Sequence, residues 1–181
     1  MSLANKISLF RILLVPVFVA SLLYYHPARD GLRYVSLALF VIGVLSDALD
    51  GFIARSKGEQ SKLGAVLDPI ADKLLILSAL ISLSTIHGLP AWMRVPAWFN
   101  LIVISRDAFL VVGTLLLFLL TGKITVQPSP LGKMAVALQM CVVPTVLLGW
   151  PLQHPLLIVT AALTICSGIA YVRRGVQLIS E

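Results

Sequence analysis

The sequence predicts an all-α integral membrane protein: six transmembrane helices forming a single membrane domain over residues 1–181, with an active site near the cytoplasmic surface. Three observations carry this. Of the 181 residues, 59% are hydrophobic and 12% charged, against roughly 45–50% and about 25% in soluble domains. The mean hydropathy of +0.98 excludes a disordered chain, which needs low hydrophobicity and high charge density. The apolar residues fall into six runs, each near the roughly 20 residues that cross a ~30 Å hydrocarbon core.

In chain order the runs are Ile7 to Tyr25, Leu32 to Ala54, Leu67 to Thr85, Pro96 to Leu120, Gly132 to Trp150 and Pro155 to Val172. The first follows Lys6 and carries Val19-Ala20-Ser21, a weak likeness to a signal-peptide cleavage site, but Arg11 and Pro16 interrupt it and its length reads as a retained helix. The connections at His26 to Gly31, Ile86 to Val95 and Pro151 to His154 are brief, and Thr121 to Leu131 collects turn-forming residues, so no soluble domain fits between spans. Cys141 and Cys166 lie in apolar stretches without CxxC spacing, which predicts inert packing.

The net charge of +6 follows membrane orientation. Lys6, Arg55, Lys57, Lys62, Lys123, Lys133, Arg173 and Arg174 fall at one set of helix ends, and Arg29, Arg33 and Arg94 at the other. The positive-inside bias places both termini in the cytoplasm and His26, His87 and His154 in outward loops. No basic run or aromatic platform suggests nucleic acid.

The acids are the anomaly. Asp47, Asp50, Asp68 and Asp72 are four of only eight acidic residues, and they flank one cytoplasmic loop inside apolar helices. Each carboxylate in a membrane helix costs on the order of 2.5–3.5 kcal/mol. Asp47 lies about 22 Å along the second span and Asp72 about 21 Å from the far end of the third, at 1.5 Å per residue. The depths match, so antiparallel packing of spans two and three brings the acids together. Asp47 and Asp50 are i,i+3 and Asp68 and Asp72 i,i+4, so each pair shares a face. Asp68 before Pro69 also suits an N-cap; the stripe Gly64, Asp68, Asp72 instead requires helix through Pro69. Four converging carboxylates repel and take up protons unless a cation intervenes. Hard oxygen ligands suit Mg²⁺ or Mn²⁺, and a pair of such ions can clamp a phosphate.

The full pattern is Asp47-x2-Asp50-Gly51-x2-Ala54-Arg55-x8-Gly64-x3-Asp68-x3-Asp72. It resembles the signature of the CDP-alcohol phosphatidyltransferase family at all eight positions, and the six-span outline resembles that family over nearly the whole chain. The resemblance implies a lipid-synthesising enzyme, in which an alcohol attacks a CDP-linked lipid and releases CMP, in a multi-pass protein of a bacterial inner membrane. It implies that Asp47, Asp50 and Asp68 are ligands of a two-metal site and that Asp72 is a shared ligand or the general base. Gly51, Ala54 and Gly64 border the nucleotide on the same grounds, and Arg55 suits its phosphates. Asn5-x2-Ser8-x2-Arg11 is similar to the opening of the phosphatidylglycerophosphate synthases within the family, and makes Arg11 a diphosphate ligand; snorkelling to the surface is its other reading.

The remaining cations bear on the acceptor. Lys73, Arg106 in Ser105-Arg106-Asp107, and Lys133 in Gly132-Lys133 would suit a phosphorylated acceptor, which favours CDP-diacylglycerol with glycerol 3-phosphate. Arg106 needs an anion, and its neighbour Asp107 is expected to face away, as i and i+1 do on a helix. Ser-Arg-Asp also resembles the cardiolipin synthases of the superfamily, whose acceptor is phosphatidylglycerol. A transporter is the reading from another class, but its sites favour the midplane and repeated halves, and no second Asp-rich copy exists. Pairing of two copies through apolar helix faces fits the outline.

Overall fold

The computed structural model describes the backbone of residues 3–57, 64–121 and 129–180, and the side chains of residues 6–28, 30–47, 70–119 and 129–177. Six long helices account for most of it: α1 Leu3–Leu23, α2 Gly31–Lys57, α3 Gly64–Thr85, α4 Ala97–Thr121, α5 Pro130–Leu148 and α6 Gln153–Ser180. No strand occurs among the described residues. Two short 3-10 turns, Pro27–Arg29 and Ala91–Met93, escaped the sequence reading because three-residue helices have no periodicity to detect. The His26 side chain caps the first, accepting from the Ala28 N–H at 3.2 Å. Among the described residues four stretches, Lys6–Leu23, Ala91–Leu119, Pro130–Leu148 and Gln153–Gln177, are long and apolar enough to cross a membrane. The molecule is a membrane protein.

The helix ends correct two expectations. α3 begins at Gly64, not Leu67, so Asp68 sits inside the helix and is not its N-cap. Pro69 falls in the second turn, where its missing N–H forfeits a single backbone bond. α6 continues eight residues beyond Val172, because Arg173 and Arg174 end the apolar run without ending the helix. Cys141 and Cys166 are free thiols, as expected, but exposed rather than packed.

Two compact units are present. The first comprises residues 1–95 with 143–150. Here α1 is the centre, packing against both α2 and α3, while α2 and α3 touch each other less. Three α1–α2 contacts fix the register. Ser21 Oγ and Ser36 Oγ lie 2.7 Å apart, the Phe18 and Phe40 rings 6.1 Å apart, and Arg11 Nη1 and Asp47 Oδ1 2.7 Å apart. Residue numbers fall on α1 as they rise on α2, so the helices are antiparallel. At the opposite end, the buried Tyr25 hydroxyl donates to Asp30 at 3.2 Å and Arg33 pairs with Asp30 at 2.7 Å. The Arg33 guanidinium stacks on Tyr34 and Trp92.

The second unit comprises residues 96–142 with 151–181. α4 packs on α6. Arg106 Nε donates to Ser167 Oγ at 3.3 Å and Thr114 Oγ1 bonds the Tyr171 hydroxyl at 2.8 Å. Numbers rise together on both helices, so the pair is parallel. α5 joins through Gln139 Nε2, which donates to Thr164 Oγ1 at 3.1 Å.

Candidate active site

The first unit holds the acid motif. A Cβ on Gly43 would lie 2.5 Å from Leu75 Cδ2, so glycine is what lets α2 and α3 approach there. The chain between Lys57 and Gly64 is short, which makes the pair antiparallel. Four residues toward that connection from Gly43 is Asp47; four from Leu75 is Ala71, beside Asp72. The Gly43–Leu75 contact therefore sets Asp47 and Asp72 at one level, as their matched depths required. Asp50, Gly51, Ala54 and Arg55 lie on α2, and Gly64 and Asp68 on α3; their side chains fall outside the described residues. Among the described residues no three acids, histidines or cysteines gather, and Asp47 and Asp72 are the two motif acids described.

Asp47 meets a cation. Arg11 has 0% exposed side chain and pairs at 2.7 Å with Asp47, whose side chain is 40% exposed. Snorkelling is thus excluded: the guanidinium turns inward between helices. An isolated charge buried in this way would cost several kcal/mol, and a carboxylate partner offsets most of that. Position 47 is accordingly an acid with one oxygen on a buried arginine and substantial surface still open. The resemblance makes Arg11 a diphosphate or lipid-head ligand; the structure shows its bond to the motif's first aspartate. Once the Phe18–Phe40 contact gives the α1–α2 register, the constant sum of paired numbers leads to Arg11–Asp47, but no pattern in the sequence supplies that register.

The second unit holds the other cations. Arg106, 10% exposed, donates from Nη1 to Asp107 Oδ1 at 2.9 Å. The expectation that adjacent residues cannot pair is corrected: three methylenes and a flexible Cα–Cβ bond let the guanidinium bend back along its own helix. Its Nη2 lies 2.9 Å from where a Cβ of Gly132 would be. The Ser105-Arg106-Asp107 and Gly132-Lys133 segments, which the sequence linked by function, are therefore in contact through Arg106 and Gly132. Ser129 Oγ accepts the Gly132 N–H at 3.1 Å, holding the start of α5. Lys133 is exposed, and Lys73 on α3 is half-buried. His26, His87 and His154 are all exposed, although His154 belongs to α6 and not to a loop.

The acid motif lies on α2 and α3, which are not among the four stretches of the described residues long and apolar enough to cross a membrane, and a buried arginine stands against its first member. The chain belongs to the CDP-alcohol phosphatidyltransferase family, whose profile matches residues 1–166. Members of that family act on a CDP-alcohol donor and an alcohol acceptor. The chain is 35% identical to a probable phosphatidylglycerophosphate synthase of Mycobacterium tuberculosis, over 97% of this chain and 82% of that protein. It is 33% identical to the CDP-diacylglycerol–glycerol-3-phosphate 3-phosphatidyltransferase of Bacillus subtilis, over 94% and 93%. A putative cardiolipin synthase of Mycobacterium bovis is 36% identical over 82% of this chain and 66% of its own length.

Proposed function

We propose that the protein transfers the phosphatidyl group of CDP-diacylglycerol to glycerol 3-phosphate, giving phosphatidylglycerophosphate and CMP. The observation that carries this reading is the eight-position motif, which falls on α2 and α3, the helices that approach at Gly43 and Leu75. The names of the Mycobacterium tuberculosis and Bacillus subtilis relatives support glycerol 3-phosphate as acceptor.

In this reading the acceptor hydroxyl oxygen bonds the β-phosphorus, the bond to the CMP oxygen breaks with its electron pair, and the hydroxyl proton passes to Asp72. Asp47, Asp50, Asp68 and Asp72 are hard oxygen donors and fit Mg²⁺ or Mn²⁺. The observed Arg11 bond uses Oδ1 of Asp47 and its side chain is open enough for an ion to reach it. When bound, the ions neutralise diphosphate charge and stabilise the leaving oxygen. Arg11 acts on this chain's side, holding Asp47 in one rotamer before a ligand arrives. Gly51, Ala54, Gly64 and Arg55 line the nucleotide, and Arg106, Lys133 and Lys73 are the cations suited to an acceptor phosphate. Residues 1–181 act as one catalytic domain of six spans in a bacterial inner membrane, with both termini cytoplasmic, and two copies pair through apolar faces.

Ser-Arg-Asp and the cardiolipin synthase relative favour a second reading, phosphatidylglycerol as acceptor. An acceptor screen decides: purified enzyme, CDP-diacylglycerol and divalent metal are given each alcohol, and the product is identified by mass spectrometry. Phosphatidylglycerophosphate is expected; cardiolipin alone would replace the first reading with the second.

A further inference from the structure

The second unit contains a cavity of about 530 Å³ running between α4 and α6. Its walls are almost wholly apolar, and two arginines, Arg106 and Arg173, border it. None of the residues that line it is acidic. The wall residues follow helical spacing, from Leu101 to Phe109 on α4 and from Thr164 to Arg173 on α6, so each helix contributes one face. At 1.5 Å per residue this groove is about 12–14 Å long, close to the depth of one leaflet in a ~30 Å core.

Its shape has a simple cause. Ser105 and Gly168 form a low floor, and a Cβ on Gly168 would rest 3.7 Å from Arg106 Cγ. The rim is tall and open: Leu101, Phe109, Ile169 and Val172 are all large and exposed. Because α4 and α6 are parallel, the groove has distinct ends. Arg173, exposed, stands at the end where α6 leaves its apolar stretch. Arg106 has its charge offset by Asp107, so Arg173 supplies the charge that faces an incoming ligand.

We propose that this groove binds one acyl chain of an anionic phospholipid, with the lipid phosphate on Arg173. The match of length to a leaflet argues for a chain, and the cation at one end, with no acid in the walls, argues for a negative headgroup. A neutral lipid would fill the groove without using Arg173. The groove borders the proposed acceptor site at Arg106, but holding a lipid on Arg173 needs neither the motif acids nor a nucleotide.

The test uses the full chain in phosphatidylcholine vesicles with EDTA and trace spin-labelled phosphatidic acid, which has no alcohol to serve as acceptor. The motionally restricted fraction is compared with that of spin-labelled phosphatidylcholine. Phosphatidic acid is expected to be retained about fivefold more strongly, the scale of one basic residue near a lipid surface. Arg173→Gln should erase that preference while CMP release, assayed separately with divalent metal, continues, and Gly168→Leu should remove the restricted component for both lipids. Equal retention of the two lipids by the wild type, or a preference unchanged in Arg173→Gln, would overturn the proposal. So would a dimer in sedimentation that Gly168→Leu dissociates, which would give the groove to a second copy. Should Gly168→Leu fail to fold, Arg173→Gln alone decides.

Discussion

Each unit buries a guanidinium among apolar helices, and the two are neutralised differently. Arg11 on α1 is paired with Asp47 on α2, across a helix–helix contact. Arg106 is paired with Asp107, the next residue on its own helix. The first ion pair ties two helices together and fixes a motif acid; the second stays on one helix, and what Arg106 adds to the α4–α6 contact is a hydrogen bond to the neutral Ser167 hydroxyl, beside that of Thr114 and Tyr171. A cation in a membrane helix therefore says little until its counter-ion is located. When the partner is on another helix, chemistry and fold are coupled; when it is local, they can be separated by mutation.

The largest expected effect lies on the acid side of the first unit. Asp72→Asn should lower CMP release by about 10²–10⁴-fold, the range for loss of a general base, while nucleotide binding survives. CMP release and equilibrium binding of a CDP-lipid are measured on the same preparation. Near-normal turnover would take the base role away from Asp72 and leave it a structural acid.

Next in size is the bond between α1 and α2. Arg11→Met should destabilise the protein by about 2–4 kcal/mol, somewhat below the 3–5 kcal/mol typical of breaking a fully buried pair, because Asp47 is partly open to solvent. Asp47→Asn removes the carboxylate charge that the arginine meets at 2.7 Å and should cost a similar amount. The double variant should cost less than the sum of the two, as expected for residues in contact. Unfolding in a detergent titration measures all three. Additive losses would show that the pair contributes nothing as a pair, and would make Arg11 equivalent to Arg106 in this respect.

How much of this was legible in the sequence depends on the range of the contact. Helix positions followed from apolar runs, since a bilayer imposes their length. The acid pattern and its matched depths were legible because rise per residue is constant. The start of α3 was not, because Asp68-Pro69 is compatible with both a cap and a helix interior, and only the path of the backbone from Gly64 decides. The Arg11 partner was missed because it depends on the α1–α2 register, which is fixed by Phe18, Phe40, Ser21 and Ser36 and not by any local pattern. The Arg106–Asp107 pair was missed for the opposite reason: a rule about Cβ directions was applied to a side chain long enough to escape it.

The smallest expected effects are in the second unit, where a local pair makes function separable from fold. Arg106→Ala and Lys133→Ala should each raise KM for glycerol 3-phosphate by about tenfold or more, the scale of a charge-assisted hydrogen bond, with KM for CDP-diacylglycerol changed less. Gly132→Ala tests the same point more gently. Its new Cβ would meet Arg106 Nη2 at 2.9 Å and Ser129 Oγ at 3.1 Å, and the guanidinium, at the end of a flexible chain, can yield. Displacing it off its rotamer costs roughly 0.5–1.5 kcal/mol, so KM for glycerol 3-phosphate should rise about two- to tenfold with stability nearly unchanged. If Gly132→Ala instead lowers stability and leaves both KM values alone, the contact serves packing of α5, and Arg106 belongs with Arg11 as a residue whose partner holds the fold.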